Sequence, residues 1–460
     1  MAKRSIISIL RILTVLPLVH SFDRAVAQHN ISVFSPAGDS AILLTQEQAV
    51  RMALAGNRQL GLAVLDERTA AARYRETEAV FLPQVGISYS AMTTNNPLNA
   101  FGFRLQQATI AAADFAPDRL NHPNGTPDFL TSVDVRQPIF NADQLYQRKS
   151  AAAAIDIYRF RTQRTKEGLE FQVKQAYMGL QLAEAAVHVL ESSLATADSL
   201  QRFINDRIGQ GMLSEADGSN AAVRVAAIRS RLAEARSGVR NASDALALLM
   251  GQPPGSLYHP AEDLTPLETR HRQEAAVPDN RADLAATQKA IEAADKSIQS
   301  TRLSSLPRLN AFGSWQYNDS RMLGFGAHAY LAGIQLSWDI FKGNSIRNKL
   351  STQRLEREKM ISELAGQREQ ANLELRKALR QHDDAQYALQ ESATAISAAK
   401  ESLRILRDRY QQGMAGNTDV LLAQDQLETQ QLALARATYA FNTATAYIEF
   451  LTAGNSGANP

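Results

Sequence analysis

RDRYQQGMAGNTDVLLAQ, residues Arg407–Gln424, interrupts a helical pattern with two glycines three residues apart. NDRIGQGMLSEAD, residues Asn205–Asp217, carries a near copy of its opening 202 positions upstream. Arg207 and Arg409, Gly211 and Gly413, Met212 and Met414, and Asp217 and Asp419 all share that offset. A glycine closing a long periodic run can take positive φ and end a helix, after which the chain reverses. The repeated phrase therefore predicts two helical hairpins of one design.

Further anchors extend the repeat. A helical reading from Leu60 breaks at Leu82-Pro83, and one from Leu284 breaks at Leu306-Pro307 with the same spacing. VDVRQPIFNAD (Val133–Asp143) matches IQLSWDIFKGN (Ile334–Asn344) at an offset of 201. Four anchors in one order indicate an internal duplication, with halves of roughly residues 45–255 and 270–454. Each half reads helix, strand, strand, long helix, break, helix. Leu169, Val173, Ala176, Leu180, Ala183, Val187, Leu190, Leu194 and Ala197 form a seam in steps of four and three, the spacing of helices packed in a coiled coil. The equivalent positions Ala371 to Ala399 keep its phase, with His382 on the seam as a packing residue. Residues 141–207 as one helix would extend about 100 Å. The segments 45–80 and 217–250 are each about half that length, so two of them end to end match one long helix. That predicts a rod.

Between the helices lie alternating stretches. QVGISYS (Gln84–Ser90), TSVDVRQ (Thr131–Gln137), LNAFGSWQYN (Leu309–Asn318) and LAGIQLSWDI (Leu331–Ile340) each put apolar residues on one face and polar ones on the other. Such strands, with Trp and Tyr near their ends, suit a transmembrane barrel; a soluble sheet lying on helices has the same alternation. Four strands are too few to close a barrel, so a membrane reading requires several chains to share one. Residues 91–130, rich in Asn, Pro and Gly, are expected as a long outer loop, and residues 319–329 as a shorter one.

Composition narrows the function. Forty-nine basic and 47 acidic residues leave a net charge of +2, no field for nucleic acid. There is no cysteine, hence no disulfide, thiolate metal site or thiol nucleophile. The histidines lack metal-ligand spacing, and no phosphate-cradling loop or nucleophile–base pattern occurs. An enzyme, a metal or a cofactor is not expected. Lys3 and Arg4, the apolar run Ile12–Val19 and Ala25-Val26-Ala27 read as a cleaved export signal over residues 1–27. The expected organisation is then a first repeat over 28–255, a connector over 256–279 holding His259 and His271, a second repeat over 280–454 and a tail over 455–460.

These features together resemble the TolC-like outer-membrane efflux proteins, the outer membrane factors. LTQEQAVRMALAGNRQL (Leu44–Leu60) is similar to that family's opening helix and NRADLAATQKAIEAADKSI (Asn280–Ile298) to its second-half counterpart. Leu82-Pro83 and Leu306-Pro307 sit where the family enters its strands. QPIF (Gln137–Phe140) resembles its strand exit, and NPLNAFGFRLQQ (Asn96–Gln107) its first outer loop. The resemblance implies a mainly α-helical fold with a small β part, an antiparallel coiled-coil barrel joined to a β-barrel shared by a homotrimer. It implies the outer membrane of a Gram-negative bacterium, and a duct without catalysis or cofactor. Its implied partners are outer-membrane lipid, a periplasmic adaptor and an inner-membrane pump, proton-driven (RND) or ATP-driven (ABC). Both hairpins would lie at the periplasmic tip, making Arg207, Gly211, Met212, Arg409, Gly413 and Met414 adaptor contacts. Asp419 resembles the family's acidic gate residue, with Asp217 its first-half analogue. Either aspartate also fits a helix N-terminus, and both glycines also fit simple reversal. A secreted coiled-coil structural or adhesion protein without a pore is the alternative reading of the whole chain.

Overall fold

The computed structural model describes residues 42–268 and 276–454. The expected export signal, His271 and the tail 455–460 lie outside the described residues.

Within them the chain is mostly helical. Strand β1 (Ile42–Leu44) leads into α1 (Gln46–Gly56) and α2 (Arg58–Glu76), followed by β2 (Gln84–Thr94). Short helices α3 (Pro97–Gln106) and α4 (Pro117–Asn121) precede β3 (Thr126–Phe140). The long helix α5 (Ala142–Gly209), α6 (Glu215–Leu249) and β4 (Tyr258–Pro260) complete the first part. The second runs α7 (Ala282–Leu303), β5 (Arg308–Asp319), β6 (Ala327–Ser337), α8 (Ser345–Gln411) and α9 (Asn417–Thr452). Helices α5 and α8 have 68 and 67 residues, about 100 Å each. No helix among the described residues is long and apolar enough to cross a membrane.

The seam packs as its spacing requires. Leu169, Val173, Leu180, Val187 and Leu190 of α5 are buried in one cluster with Ala49 and Ala53 of α1, Leu60 of α2, and Leu232, Val239 and Leu246 of α6, and Ala197 packs with Val225 and Ile228 of α6. On α8, Ala371, Leu375, Ala378 and Ala385 are buried against α7 and α9. His382 is 1% exposed, with its ring 4.6 Å from that of Phe441.

Half-length helices do meet end to end. The expected single helix over 45–80 is broken at Asn57, whose side chain caps the Leu60 N–H at 3.0 Å and donates to the Leu249 carbonyl at 2.9 Å. Gly251 holds φ +70, and a Cβ there would stand 2.1 Å from the Gly56 carbonyl oxygen. Gly251→Ala is therefore expected to cost more than the roughly 1–2 kcal/mol of left-handed strain alone, read as a lowered unfolding midpoint of the purified protein. A short parallel pairing of β1 with β4 closes over this joint, and the Tyr177 hydroxyl donates to the Leu44 carbonyl at 3.0 Å.

Strands β2-β3-β5-β6 make one antiparallel sheet in that order. Its register puts Ile87 beside Val133, Val133 beside Trp315, and Trp315 beside Tyr330. The opposite face is polar, with Ser132 and Ser314 in hydrogen-bond contact at 3.1 Å and Asp134 accepting from Ser132. On the apolar face Ile87 is 77% and Ile334 69% exposed. β2 and β3 extend beyond the expected spans, to Thr94 and back to Thr126, whereas β6 ends at Ser337 and leaves Trp338–Ile340 outside the strand.

Within the stretch expected as loop, Asn96 caps the Asn99 N–H and Pro97 opens α3. Arg104 pairs with the buried Asp114 at 2.5 Å. Gln107 donates to Asp128 at 2.9 Å, and Asn318 donates to the other Asp128 oxygen at 3.0 Å. Helix α3 packs on β3 and β6, so the outer segment is folded onto the strand ends.

Candidate functional site

Two reversals carry the predicted site residues. In both, the backbone closes a six-residue helix-ending ring. The Met212 N–H donates to the Arg207 carbonyl at 2.9 Å, and the Gly211 N–H to Ile208 at 2.9 Å. The Met414 N–H donates to Arg409 at 2.8 Å, and the Gly413 N–H to Tyr410 at 3.1 Å. Gly211 and Gly413 both hold φ +74. This is the glycine-terminated helix end in which an L side chain would be strained. Met212 and Met414 stand 61% and 67% exposed at the turns.

Both aspartates occupy the third position of the next helix. Asp217 Oδ2 accepts from the Ser214 hydroxyl at 2.7 Å and its N–H at 3.2 Å, while the Asp217 N–H reaches back to Ser214 Oγ. That is a reciprocal capping box. Gly416 has no side chain, so only the return half forms there: its N–H donates to Asp419 Oδ2 at 2.9 Å. Each carboxylate thus caps the N-terminus of its helix, as their spacing allowed. Asp419 is exposed to solvent; Asp217 is half-buried.

The hairpins also meet each other. Phe203 of α5 and Tyr410 of α8 lie edge to face at 5.7 Å, and Arg207 stacks on Phe203 with its guanidinium at 2.8 Å from Met212 Sδ. Burial pushes the Tyr410 phenol above its ordinary pKa, the Asp217 charge pushes it further and Arg207 acts against them. A cavity of about 500 Å³ beside this contact is lined by Leu200, Phe203, Arg407, Tyr410 and Val420 among others. Arg409 is solvent-exposed and has no ion-pair partner among the described residues. Arg207 and Asp217 therefore converge on the second hairpin, whereas Arg409 and Asp419 stay at the surface. Tyr410 was missed, although its aromatic ring inside the repeated phrase, where the first copy has Ile208, was a visible signal.

Further along the same helices, α6 and α9 are joined by charge. Arg231 donates to Glu428 at 2.5 Å and Arg224 at 3.4 Å, and Arg224 also pairs with Asp425. Glu428 is 2% exposed. Burial pulls the Arg224 guanidinium below its ordinary pKa, Glu428 counters that pull and Arg231 adds to it. Among the described residues no group of three or more His, Cys, Asp or Glu side chains could hold a metal ion.

A sequence model of the family described as outer membrane efflux protein matches residues 49–252 and 276–454. The chain belongs to that family. As a member of the outer membrane efflux protein family it resides in the outer membrane of a Gram-negative cell, in a family of channels rather than enzymes. Alkaline protease secretion protein AprF of Pseudomonas aeruginosa is 23% identical over 436 residues, covering 89% of this chain and 86% of its own length. Outer membrane protein OprJ of the same organism is 22% identical over 424 residues, covering 89% and 84%. Among solved structures, CusC superposes with a TM-score of 0.75 at 18% identity, covering 92% of this chain and 96% of its own. The efflux family's fold, helical with a small sheet, is the fold described above.

Proposed function

We propose that three copies of this chain form a passive exit duct, a twelve-stranded barrel in the outer membrane continued by a periplasmic helical tunnel. One observation carries the reading: a four-stranded sheet with an apolar exposed face and two strands, β2 and β6, each paired on one side only. Open edges seek further strands, and β6 of one copy can pair with β2 of the next until the ring closes. The apolar face then meets lipid, and the polar face of Ser132, Asp134 and Ser314 lines the lumen. The two halves are read as an internal duplication, which the identical helix-ending rings at Gly211 and Gly413 support.

At the far end from the sheet, the hairpins form the tip, where Asp419 and Asp217 are the gate candidates. Arg207, Gly211, Met212, Arg409, Gly413 and Met414 face a periplasmic adaptor there. Energy comes from an inner-membrane pump of the RND or ABC type. The names of the relatives span both cargo classes: AprF is described by protease secretion, and a relative in Pseudomonas putida, TtgC, as an efflux pump outer membrane protein. Three Asp419 carboxylates in one ring would favour cations over anions.

Planar-bilayer recording tests this. Wild-type protein is expected to give discrete, cation-selective pores. Asp419→Ala should weaken selectivity and divalent block, with Asp217→Ala having a smaller effect because that carboxylate is already engaged by Ser214. Pores unchanged in Asp419→Ala return that residue to capping alone. Folded protein that never conducts removes the duct.

A further inference from the structure

The helical side of the sheet is bordered by an ordered succession of chemistries. Closest to the strands, Phe81, Leu82, Ile139, Phe140, Ile340 and Phe341 are exposed apolar side chains. Phe81 and Leu82 lie between α2 and β2, Ile139 and Phe140 end β3 just before α5, and Ile340 and Phe341 lie between β6 and α8. Trp338 stands with them, its indole N–H donating to the Ser305 carbonyl at 2.9 Å.

Charge follows immediately. The four segments 73–83, 138–150, 299–308 and 338–351 hold nine basic and four acidic residues, in a chain whose net charge is only +2. Arg148, Arg308 and Lys342 have carboxylate partners. Arg73, Arg75, Lys149, Arg302, Arg347 and Lys349 are exposed, and none has a carboxylate within ion-pair distance among the described residues. At the other end of the sheet the pattern is absent. Arg104 and Arg119 both pair with Asp114, and Arg321 with Asp319. The two ends of one apolar band thus differ: all three arginines named at one end are paired, whereas six of the nine basic residues at the other have no carboxylate partner among the described residues.

We infer that these unpaired cations form a collar that binds the anionic headgroups of glycerophospholipids in the leaflet on the helical side. The sequence of layers is that of a lipid leaflet read from its middle outward: aliphatic strand face, interfacial aromatic rings, then phosphate-binding cations. Exposed Lys and Arg beside an apolar anchor gain from negative headgroups, which supply charge that no protein carboxylate supplies here. A soluble partner with carboxylates would not account for the apolar ring directly above the collar. The inference rests on the duct reading and specifies which lipid that duct selects.

The test uses the full-length protein reconstituted in phosphatidylcholine vesicles carrying spin-labelled phosphatidylglycerol or spin-labelled phosphatidylcholine. Wild-type protein is expected to enrich the anionic probe at its surface by roughly threefold to fivefold over the neutral one, less at high salt. The variant Arg73→Gln, Arg75→Gln, Arg347→Gln, Lys349→Gln should lose most of that preference. A control with four exposed cations removed from α8, Arg376→Gln, Lys377→Gln, Arg380→Gln, Lys400→Gln, should retain it. All eight positions are solvent-exposed, so folding is not at stake. Equal preference in wild type and collar variant, or equal loss in both variants, overturns the collar while leaving an inserted duct standing. Protein that fails to insert into either vesicle overturns the duct reading and the collar with it.

Discussion

Glu428→Ala is expected to destabilise the fold by about 3–5 kcal/mol, far beyond the loss of an exposed ion pair. Glu428 sits 2% exposed between Arg231 and Arg224, and Arg224 is itself largely buried. Removing the carboxylate leaves two like charges of α6 without their shared partner on α9, with only the half-exposed Asp425 to compensate. The same physics makes a second result distinctive. Replacing the set together, Arg224→Met with Arg231→Met and Glu428→Leu, should restore much of the loss, because a buried ion pair contributes little net stability against well-packed apolar residues. Chemical unfolding midpoints of the purified protein measure both. A Glu428→Ala midpoint indistinguishable from wild type would mean that water already solvates the cluster.

Ile334→Arg should be the most damaging single change in the sheet. The side chain lies mid-strand on the apolar face, paired with Ala311 and two residues from Leu336 on the same face. An arginine near the middle of a lipid-facing strand costs about 2–4 kcal/mol per chain, and a closed trimer would bear it three times. Gln335→Arg, one residue along and on the polar face, should cost far less. Heat-resistant oligomer in outer-membrane fractions provides the readout. If the face met water instead, as in a soluble structural protein, Ile334→Arg would change stability by no more than about 0.5 kcal/mol. The two readings therefore predict opposite outcomes from one substitution.

What could be read from residue order alone follows the range of the interactions. The glycine-ended hairpins and the α5 seam are local patterns, and both formed as their spacing required. Helix α3 was also local: Asn96 followed by Pro97 is a helix-start signal, overlooked because the surrounding Asn, Pro and Gly suggested only loop. The break at Asn57 had a weaker cue, since its hydrogen bond to Leu249 depends on the end of α6 arriving 192 residues later. Three-residue β1 carries no periodicity, and its partner β4 lies beyond α6. The cluster around Glu428 joins residues 197 and 204 positions apart. Single charged residues on amphipathic helices look solvated until the opposing helix is known. At the tip, the paired offset brought out Arg207, Gly211, Met212 and Asp217 with their second-half counterparts but passed over Tyr410, where the copies differ.

The central pairing of the sheet has a consequence for how the molecule is made. Val133 meets Trp315 across 182 residues of chain, while each helical hairpin closes through neighbours only a few residues apart. Local contacts form early and distant ones late, because closing a long loop costs entropy before any contact repays it. The hairpins and coiled-coil seams are accordingly expected to take shape first, and β3 and β5 to pair late, across a loop that contains the long helix α5. During that interval the apolar strands are present but unassembled, and the outer edges of β2 and β6 stay open even in the finished chain. For the proposed duct, biogenesis would therefore have a vulnerable window at its end, in which the apolar sheet face must be shielded until lipid and neighbouring copies arrive.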